Sequence, residues 1–275
     1  MKKTTLITGC SSGLGRATAY QFAQEGWNVI ATMRDVVHGA DLARLDNVQV
    51  ATLDVQDPNS IEAAIAGGID RFGAIDAIVN NAGFGLFGTF EGASNEQIAE
   101  QFGVNVFGVM NVTRAILPHF RQKRAGVIVN ISSLGGAVGM PLLSLYCASK
   151  FAIEGFSETL AYELAPLGIT VKVVELGVVP DTKFNAKSVG LLERSDNHPD
   201  YESYVSGGAR FFAKFQSQAV ANSSQVARQI VACTNDAGSQ LRYVVTEDIV
   251  PLLALRRELS EGAYMKAMRD ICTWE

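Results

Sequence analysis

The sequence predicts an α/β protein with a doubly wound, seven-stranded parallel sheet and helices on both faces. Short runs rich in Val, Ile and Thr alternate with longer segments that carry apolar residues at helical spacing. A glycine-rich turn follows the first such run and leads directly into a helical segment. This alternation builds βαβ units, whose right-handed crossovers place helices on both sides of the sheet. The predicted class is therefore a Rossmann-type fold.

The individual elements follow from β-branched content and from apolar periodicity. The predicted strands are Thr4–Thr8, Asn28–Thr32, Val48–Leu53, Ala77–Asn80, Val127–Ile131, Thr170–Val174 and Arg242–Val245. The predicted helices are Leu14–Glu25, Ser60–Phe72, Gln97–Phe120, Tyr146–Ala165 and Ser224–Thr234. A length of 275 residues suits one large α/β unit, so we expect residues 1–275 to form a single domain.

Composition and charge exclude several classes of function. The net charge of -5 comes from 23 basic and 28 acidic residues that are mixed along the chain. The tight basic cluster at Arg121, Lys123 and Arg124 ends a predicted helix, where cations suit the helix dipole. Nothing in this pattern is typical of a protein that binds phosphate backbones, so no nucleic-acid partner is predicted.

Cysteine spacing and apolar runs also favour a cytoplasmic protein. The four cysteines, Cys10, Cys147, Cys233 and Cys272, lack the spacing of metal ligands, and we predict neither a metal site nor a disulfide. The residues before the first strand are too few for a signal peptide, and no apolar run approaches membrane-spanning length. We therefore expect no membrane span and a location in the cytoplasm.

The glycine-rich turn at residues 8–15 reads TGCSSGLG. In the strand-to-helix setting, glycines let backbone amides approach a pyrophosphate at the helix N-terminus, although three glycines can also form a simple tight turn. A second pattern places Tyr146 and Lys150 four residues apart, on one face of a predicted helix. An ammonium beside a phenol stabilises the tyrosinate and makes it usable for proton transfer near neutral pH.

Three motifs in order resemble the short-chain dehydrogenase/reductase family. They are the Gly-x-x-x-Gly-x-Gly spacing, Asn80-Asn81-Ala82-Gly83 and Tyr146-Cys147-Ala148-Ser149-Lys150, and the resemblance covers nearly the whole chain. It implies an oxidoreductase that transfers hydride between a nicotinamide dinucleotide and a carbonyl carbon, with Tyr146 moving the proton.

The resemblance also implies further catalytic residues. Ser133 lies thirteen residues before Tyr146 at the end of the fifth strand, and we expect it to hydrogen-bond the substrate oxygen. Ser132 is the rival, but adjacent residues of a strand point to opposite sides, so at most one faces the substrate. Asn105 occupies the position of an asparagine that holds a water linking Lys150 to solvent; the alternative is a polar residue that kinks a helix.

The cofactor site implied by the resemblance extends along the carboxyl edge of the sheet. Asp54 is expected to contact the adenine, although it can also form a turn. Leu176 replaces the usual proline of the family, and the register between Asp181 and Thr182 at the nicotinamide end stays open. The predicted cofactor-binding residues are Gly9, Ser11, Ser12, Gly13, Leu14, Gly15, Arg34, Asp54, Val55, Asn81, Ala82, Gly83, Lys150, Gly177, Val179 and Thr182.

Cofactor preference depends on the end of the second strand. By register with the family, Met33 occupies the usual acidic position, and Arg34 follows it. A guanidinium can pair with the 2′-phosphate of NADP(H), whereas an acid would bind the ribose hydroxyls of NAD(H). We predict NADP(H), while neighbouring Asp35 keeps NAD(H) open as an alternative.

The substrate is expected to be a hydrophobic alcohol or ketone. The segments IATMRD, YCASKFAIEGFSETLA and LRYVVTEDIVPLL are similar to those of hydroxysteroid and retinol dehydrogenases. Between Asp181 and Asn222 the pattern weakens into a polar stretch that is expected to form a substrate lid without regular structure. Glu247 falls where a steroid-contacting acid is expected. The predicted apolar pocket comprises Met140, Leu142, Leu143, Phe211, Phe212 and Phe215.

Three further expectations stay open at this level. A 3-oxoacyl thioester reductase is the alternative enzyme, and it would need a basic docking surface for an acidic carrier. A non-catalytic NADP-binding sensor is the alternative outside enzymes, because the fold alone does not determine function. The family habit of pairing two long helices across a two-fold axis implies a homodimer or tetramer.

Overall fold

The protein forms one parallel sheet of seven strands in the order β3-β2-β1-β4-β5-β6-β7. The computed structural model describes residues 2–182, 184 and 198–272. The strands are β1 (Thr4–Ile7), β2 (Asn28–Met33), β3 (Val48–Thr52), β4 (Ala77–Asn80), β5 (Gly126–Ile131), β6 (Ile169–Glu175) and β7 (Arg242–Val244). All six neighbouring pairs are parallel. The prediction of a seven-stranded, doubly wound sheet is confirmed.

Helices cover both faces of this sheet. They are α1 (Gly13–Gln24), α2 (Pro58–Phe72), α3 (Asn95–Phe102), α4 (Val109–Lys123), α5 (Ser144–Leu164), α6 (Glu202–Ser217), α7 (Ser223–Asn235), α8 (Val250–Glu258) and α9 (Glu261–Cys272). One apolar cluster packs α1 and α7 on one face, with Phe22 and Ile230 at its centre. A second cluster packs α2, α4 and α5 on the other face, around Ile65 and Ile116. The central strands are apolar on both faces, so polar side chains that could form a site lie at the carboxyl ends of these strands.

The helix predicted over 97–120 is interrupted by a π-helical turn at Gly103–Gly108. Two glycines of this turn pass close to the loop after β3. A Cβ at Gly103 would lie 2.5 Å from Gln56 Oε1, and one at Gly108 would lie 2.5 Å from Val55 Cγ2. The wide turn therefore lets the chain run against this loop, and π-helical turns of this kind are frequent at functional sites.

The prediction of a lid without regular structure over 181–222 is wrong for part of that stretch. Residues Glu202–Ser217 form helix α6, which buries Gly207, Gly208 and Phe212. The two glycines lower helix propensity in the sequence, but both are buried in the structure, and tertiary packing outweighs the propensity. Residues 183 and 185–197 of the predicted lid, which include Lys187 and Arg194, lie outside the described residues.

Two residues of the basic cluster at the end of α4 bind neighbouring parts of the fold. Lys123 Nζ lies 2.7 Å from Asp76 Oδ1, and Arg124 donates to the carbonyl of Pro166. Across the described ranges, no helix has both the length and the apolar character needed to cross a lipid bilayer.

The C-terminal helices are joined to the sheet through a buried carboxylate. Glu175, at the end of β6, has a side chain that is only 1% exposed. Arg257 of α8 donates from Nη2 to both of its carboxylate oxygens, at 2.7 and 2.8 Å. Removing one partner of such a pair leaves a buried charge uncompensated, and this usually costs several kcal/mol.

We predict that Arg257→Ala lowers the free energy of unfolding by about 2–3 kcal/mol, because Glu175 loses its counter-ion. Urea unfolding followed by circular dichroism measures the change. The control is Arg256→Ala on the same helix, which removes an ion pair with the exposed Glu261 and a ring contact with Tyr264. This control is expected to cost less than about 1 kcal/mol, and equal losses in the two variants would contradict the assignment.

Candidate active site

A cavity of about 360 Å³ opens at the carboxyl edge of the sheet. All sixteen predicted cofactor-binding residues line it, from the glycine-rich loop to Thr182. Tyr146 and Ser133 line it as well, whereas Asn105 lies buried behind the wall. The structure thus brings together residues that are spread over more than 170 positions of the chain. Their individual roles stay predictions.

The glycine-rich loop leaves a cradle in front of the N-terminus of α1. Gly9 has a φ of +76°, and a Cβ at Gly15 would lie 2.3 Å from Asn81 Nδ2 and 2.5 Å from the Gly9 carbonyl oxygen. Asn81 Nδ2 donates to the Thr8 carbonyl at 2.9 Å, which locks this loop to the segment after β4. Only glycine fits these positions, and the first amides of α1 face the opening without helical acceptors. The cradle therefore fits a pyrophosphate.

At the adenosine end, Arg34 is exposed and lines the cavity beside Met33. The carboxylate of Asp35 is used elsewhere, because its Oδ1 accepts from Val37 N at 3.0 Å and caps a 3₁₀ turn. Asp54 lines the cavity, and its Oδ1 also accepts from Gln56 N at 3.0 Å. The turn-forming role considered for Asp54 is therefore present, and its predicted contact with an adenine stays a prediction.

Tyr146 and Lys150 are both buried on α5, which begins just before them at Ser144. Lys150 Nζ donates to the carbonyl of Ile131 at 2.8 Å and lies 5.8 Å from the centre of the Tyr146 ring. Burial raises the pKa of the Tyr146 phenol, and a hydrogen bond with Ser133 opposes that shift. Burial lowers the pKa of Lys150 to about 8, and the charge of Glu154 opposes that shift.

The two serines after β5 point to different sides, as strand geometry requires. Ser133 interacts with Tyr146 and accepts from Gly135 N at 3.2 Å. Ser132 is 2% exposed, and a Cβ at Gly136 would lie 2.5 Å from its Oγ, so this hydroxyl faces Gly136. Ser133 is therefore the serine placed beside the phenol.

Asn105 lies in the π-helical turn and makes three side-chain hydrogen bonds. Its Nδ2 donates to the Phe84 carbonyl at 2.9 Å and to Ser149 Oγ at 3.1 Å, while its Oδ1 accepts from Phe84 N at 3.1 Å. These bonds join the loop after β4 to the catalytic helix. The side chain thus has a clear positioning role, and its predicted water-holding role stays a prediction.

Of the two residues whose register the sequence left open, Thr182 lines the cavity and Asp181 does not. Thr182 lies 3.3 Å from the Cβ position of Gly13. Asp181 turns outward and accepts from Ser223 N and Oγ at 2.9 and 2.7 Å. Leu176, at the usual proline position, also lines the cavity, and its carbonyl accepts from Leu134 N at 2.9 Å.

The remaining wall is aromatic and aliphatic. Phe87 and Phe212 meet edge to face with ring centres 4.7 Å apart, which joins the loop after β4 to α6. Leu142 and Phe211 pack behind this wall, and Glu247 is exposed and is not among the lining residues. The expectation that Glu247 meets the substrate is therefore not supported. The apolar lining residues are Phe84, Phe87, Met140, Leu143, Phe184, Phe212 and Phe215.

The lining residues that sequence reasoning missed include Phe84, Phe87, Phe184 and Gln216. A usable signal was present for two of them, because Phe84 and Phe87 directly follow the motif after β4, at the edge where sites form. Their loop is held by a bond from Gly88 N to the carbonyl of Leu142, whose φ of +57° is rare for a residue with a side chain. Nothing in the sequence pattern distinguished Gln216.

The fold and site define a dinucleotide-binding α/β oxidoreductase, and comparison with known proteins agrees. The family model for short chain dehydrogenases matches residues 3–190. The chain is 33% identical to human 17-beta-hydroxysteroid dehydrogenase type 1, over 97% of this chain and 85% of that protein. It therefore belongs to the short-chain dehydrogenase/reductase family.

Two further relatives differ in coverage. A 3-ketodihydrosphingosine reductase of Bacteroides thetaiotaomicron is 41% identical, over 62% of each chain. The crystal structure of a short-chain dehydrogenase from Streptomyces avermitilis superimposes with a TM-score of 0.81 at 33% identity, covering 98% of this chain and 94% of that one. Other solved structures of this fold hold NAD in one case and NADP in another, so family membership leaves the nucleotide open.

Proposed function

We propose that the protein is an NADP(H)-dependent oxidoreductase that interconverts a hydrophobic secondary alcohol and its ketone. This proposal rests on the arrangement of side chains where β5 ends and α5 begins. Tyr146, Ser133 and Lys150 converge there on one cavity with the glycine cradle. A non-catalytic sensor would not need this group of a phenol, a hydroxyl and a buried ammonium beside the nucleotide.

The side chains divide the proton chemistry between them. The Tyr146 hydroxyl gives its proton to the carbonyl oxygen during reduction and takes it back during oxidation. Ser133 donates a hydrogen bond to the same oxygen as negative charge develops on it. The Lys150 ammonium, held on the Ile131 carbonyl, stabilises the tyrosinate against the effect of burial. When bound, the dinucleotide supplies or accepts the hydride.

Replacing the phenol tests this assignment. We predict that Tyr146→Phe lowers kcat/KM at least about a hundredfold, while the affinity for NADPH stays unchanged. Turnover is followed by nicotinamide absorbance on a panel of steroid, retinoid and other lipophilic ketones and alcohols. In the wild-type protein, oxidation is expected to rise with pH as Tyr146 loses its proton, and reduction is expected to fall. Full activity in the variant would assign the proton transfer to another group.

The preference for NADP(H) rests on the two residues after β2. Arg34 is exposed at the cavity, and among the described residues it has no ion-pair partner that would neutralise it. The Asp35 carboxylate, which would favour NAD(H), caps its own 3₁₀ turn. A free guanidinium can form charge-assisted bonds to a 2′-phosphate.

We predict that wild-type protein binds NADPH at least about tenfold more tightly than NADH, since a charge-assisted bond contributes about 1.5–3 kcal/mol. Arg34→Ala should remove this difference by weakening NADPH alone. Calorimetric titration of both nucleotides measures it. Arg44→Ala is the matched control, because Arg44 is an exposed arginine of the same segment that does not line the cavity. Tighter binding of NADH by the wild type would refute the preference.

The aromatic wall supports a lipophilic substrate. Its side chains offer an apolar surface beside Tyr146 that suits a fused-ring or long-chain body. Two relatives carry names that specify such molecules, a hydroxysteroid and a ketodihydrosphingosine. The half-buried Gln216 amide adds a polar lining group from α6, which could bind a hydroxyl or carbonyl of the substrate. A 3-oxoacyl thioester stays the alternative substrate class.

A homodimer or tetramer is proposed from the outer face of α5. The exposed residues of this helix recur at spacings of three and four, and they carry no charge until Glu163. Phe151 and Tyr162 are 41% and 72% exposed, and Phe107 of the neighbouring π-helical turn is 58% exposed. An uncharged face with large aromatic groups suits a two-fold interface between copies. The exposed stripe is Ser144, Ala148, Phe151, Gly155, Thr159 and Tyr162.

Sedimentation equilibrium is expected to give two or four chains per particle. We predict that Phe151→Glu shifts the protein toward the monomer, because a charge in the centre of an apolar interface is not solvated. Phe90→Glu changes another exposed phenylalanine, in the loop after β4, and should leave the mass unchanged. A wild-type monomer at micromolar concentration would overturn the proposal.

A further inference from the structure

Behind the catalytic pair lies a buried carboxylate that the proton chemistry described so far does not use. Glu154 follows Lys150 by one helical turn on α5, so the two side chains lie on the same face. Its side chain is 8% exposed. Oε2 accepts from Arg242 Nε at 2.9 Å, which joins the catalytic helix to β7. A carboxylate is costly to bury, and one beside the catalytic lysine requires an explanation.

The second carboxylate oxygen points toward the catalytic strand end. A Cβ at Gly136 would lie 3.2 Å from Glu154 Oε1 and 2.5 Å from Ser132 Oγ, so both oxygens face this glycine. Oε1 is buried beside the Ser132 hydroxyl, and their interaction favours the charged form of the carboxyl. The charge of Glu154 acts across a medium with little water to screen it.

We propose that Glu154 is a positioning residue of the active site: its buried negative charge keeps the Lys150 ammonium charged beneath Tyr146, and Arg242 holds the Glu154 carboxylate in place. This inference rests on the proposed function, because it concerns the lysine that serves the proton transfer. The residues act through Lys150 and touch neither substrate nor cofactor.

The electrostatics of Lys150 agree with this geometry. Burial lowers the pKa of Lys150, and among the charges around it Glu154 is the one that raises it again. Burial raises the pKa of the Glu154 carboxyl, and interactions with Ser132 and Arg242 oppose that shift. Without Glu154, the ammonium would lose its proton at a lower pH, and the tyrosinate would lose its partner just where oxidation of an alcohol is fastest.

Further charged and titratable groups lie on the elements around Lys150 and Glu154. Arg242 also binds Glu158, one turn further along α5, at 2.6 Å. Glu175 at the end of β6 raises the pKa of Glu154, and it is itself paired with Arg257 of α8. Asp248, in the turn before α8, lies against Gly177. On α5 itself, Tyr146 is the further titratable group that faces Lys150.

The direct test is a pH titration of Lys150 in the cofactor-free protein, by NMR of lysine labelled with ¹³C at Cε. A Lys150→Met variant assigns the signal. Glu154→Gln is expected to lower the titration midpoint by about one pH unit, and Glu154→Asp should largely restore it. Arg242→Met should also lower the midpoint, because the Glu154 carboxylate then loses the group that holds it in place and favours its charged form. A general loosening of the fold would expose Lys150 to water and raise the midpoint instead.

Glu158→Gln is the matched control. Glu158 binds the same arginine as Glu154, but it lies one helical turn further from Lys150. Its midpoint should stay within about 0.3 units of the wild type. An unchanged midpoint in Glu154→Gln, or an equal fall in Glu158→Gln, overturns the inference. If Glu154→Gln does not fold, Arg242→Met decides, and an unchanged or higher midpoint in that variant overturns the inference.

The effect of Glu154 on activity is tested by the pH profile of alcohol oxidation. Loss of the Lys150 proton sets its alkaline limb, so this limb should move to lower pH in Glu154→Gln by the same amount as the NMR midpoint. If the wild-type protein turns over no alcohol or ketone, the proposed function fails, while the lysine titration still decides whether Glu154 controls the charge of Lys150. An active enzyme whose limb does not move in Glu154→Gln overturns the inference alone.

Discussion

The hydrogen bond from the Lys150 ammonium to the carbonyl of Ile131 is the contact on which the rest of the site depends. It joins the second turn of α5 to the last residue of β5, and both elements are anchored in a core that is apolar on each face of the sheet. With that bond in place, Tyr146 lies one turn back on the helix, and Ser133 lies two residues on from the strand end. Three reactive groups from two elements thus meet with little freedom, which is the condition for preorganised catalysis.

The same constraint explains why the site draws on distant parts of the chain. A parallel sheet collects the ends of its strands at one edge, so each βα connection adds one wall to the cavity. The loop after β1 supplies the glycine cradle, the loop after β2 supplies Arg34, and the loop after β4 supplies Phe84 and Phe87. Asn105 and Asn81 bond these loops to one another, and thereby make separate loops into one rigid wall.

Much of this arrangement could be predicted from the sequence, because local patterns determine it. All seven strands were found within about two residues, since runs such as Val127–Ile131 are β-branched and bounded by turns. The shared helix face of Tyr146 and Lys150 follows from their spacing of four. Helix α6 was missed because Gly207 and Gly208 weaken its pattern, and the helix forms through packing of Phe212 against Phe87. Such long-range contacts, like the one between Glu154 and Arg242, leave no local pattern to detect.

Helix α6 lines the cavity from a part of the sequence that is separate from the residues assigned to the nucleotide and to the proton. The groups assigned to the nucleotide and to the proton all come before residue 183, while α6 adds Phe212, Phe215 and Gln216 to the far wall. The family model ends at residue 190, short of this helix. Evolution can therefore vary the shape of the chamber without disturbing the chemistry, and an exchange of α6 between relatives would transplant selectivity as a separable module.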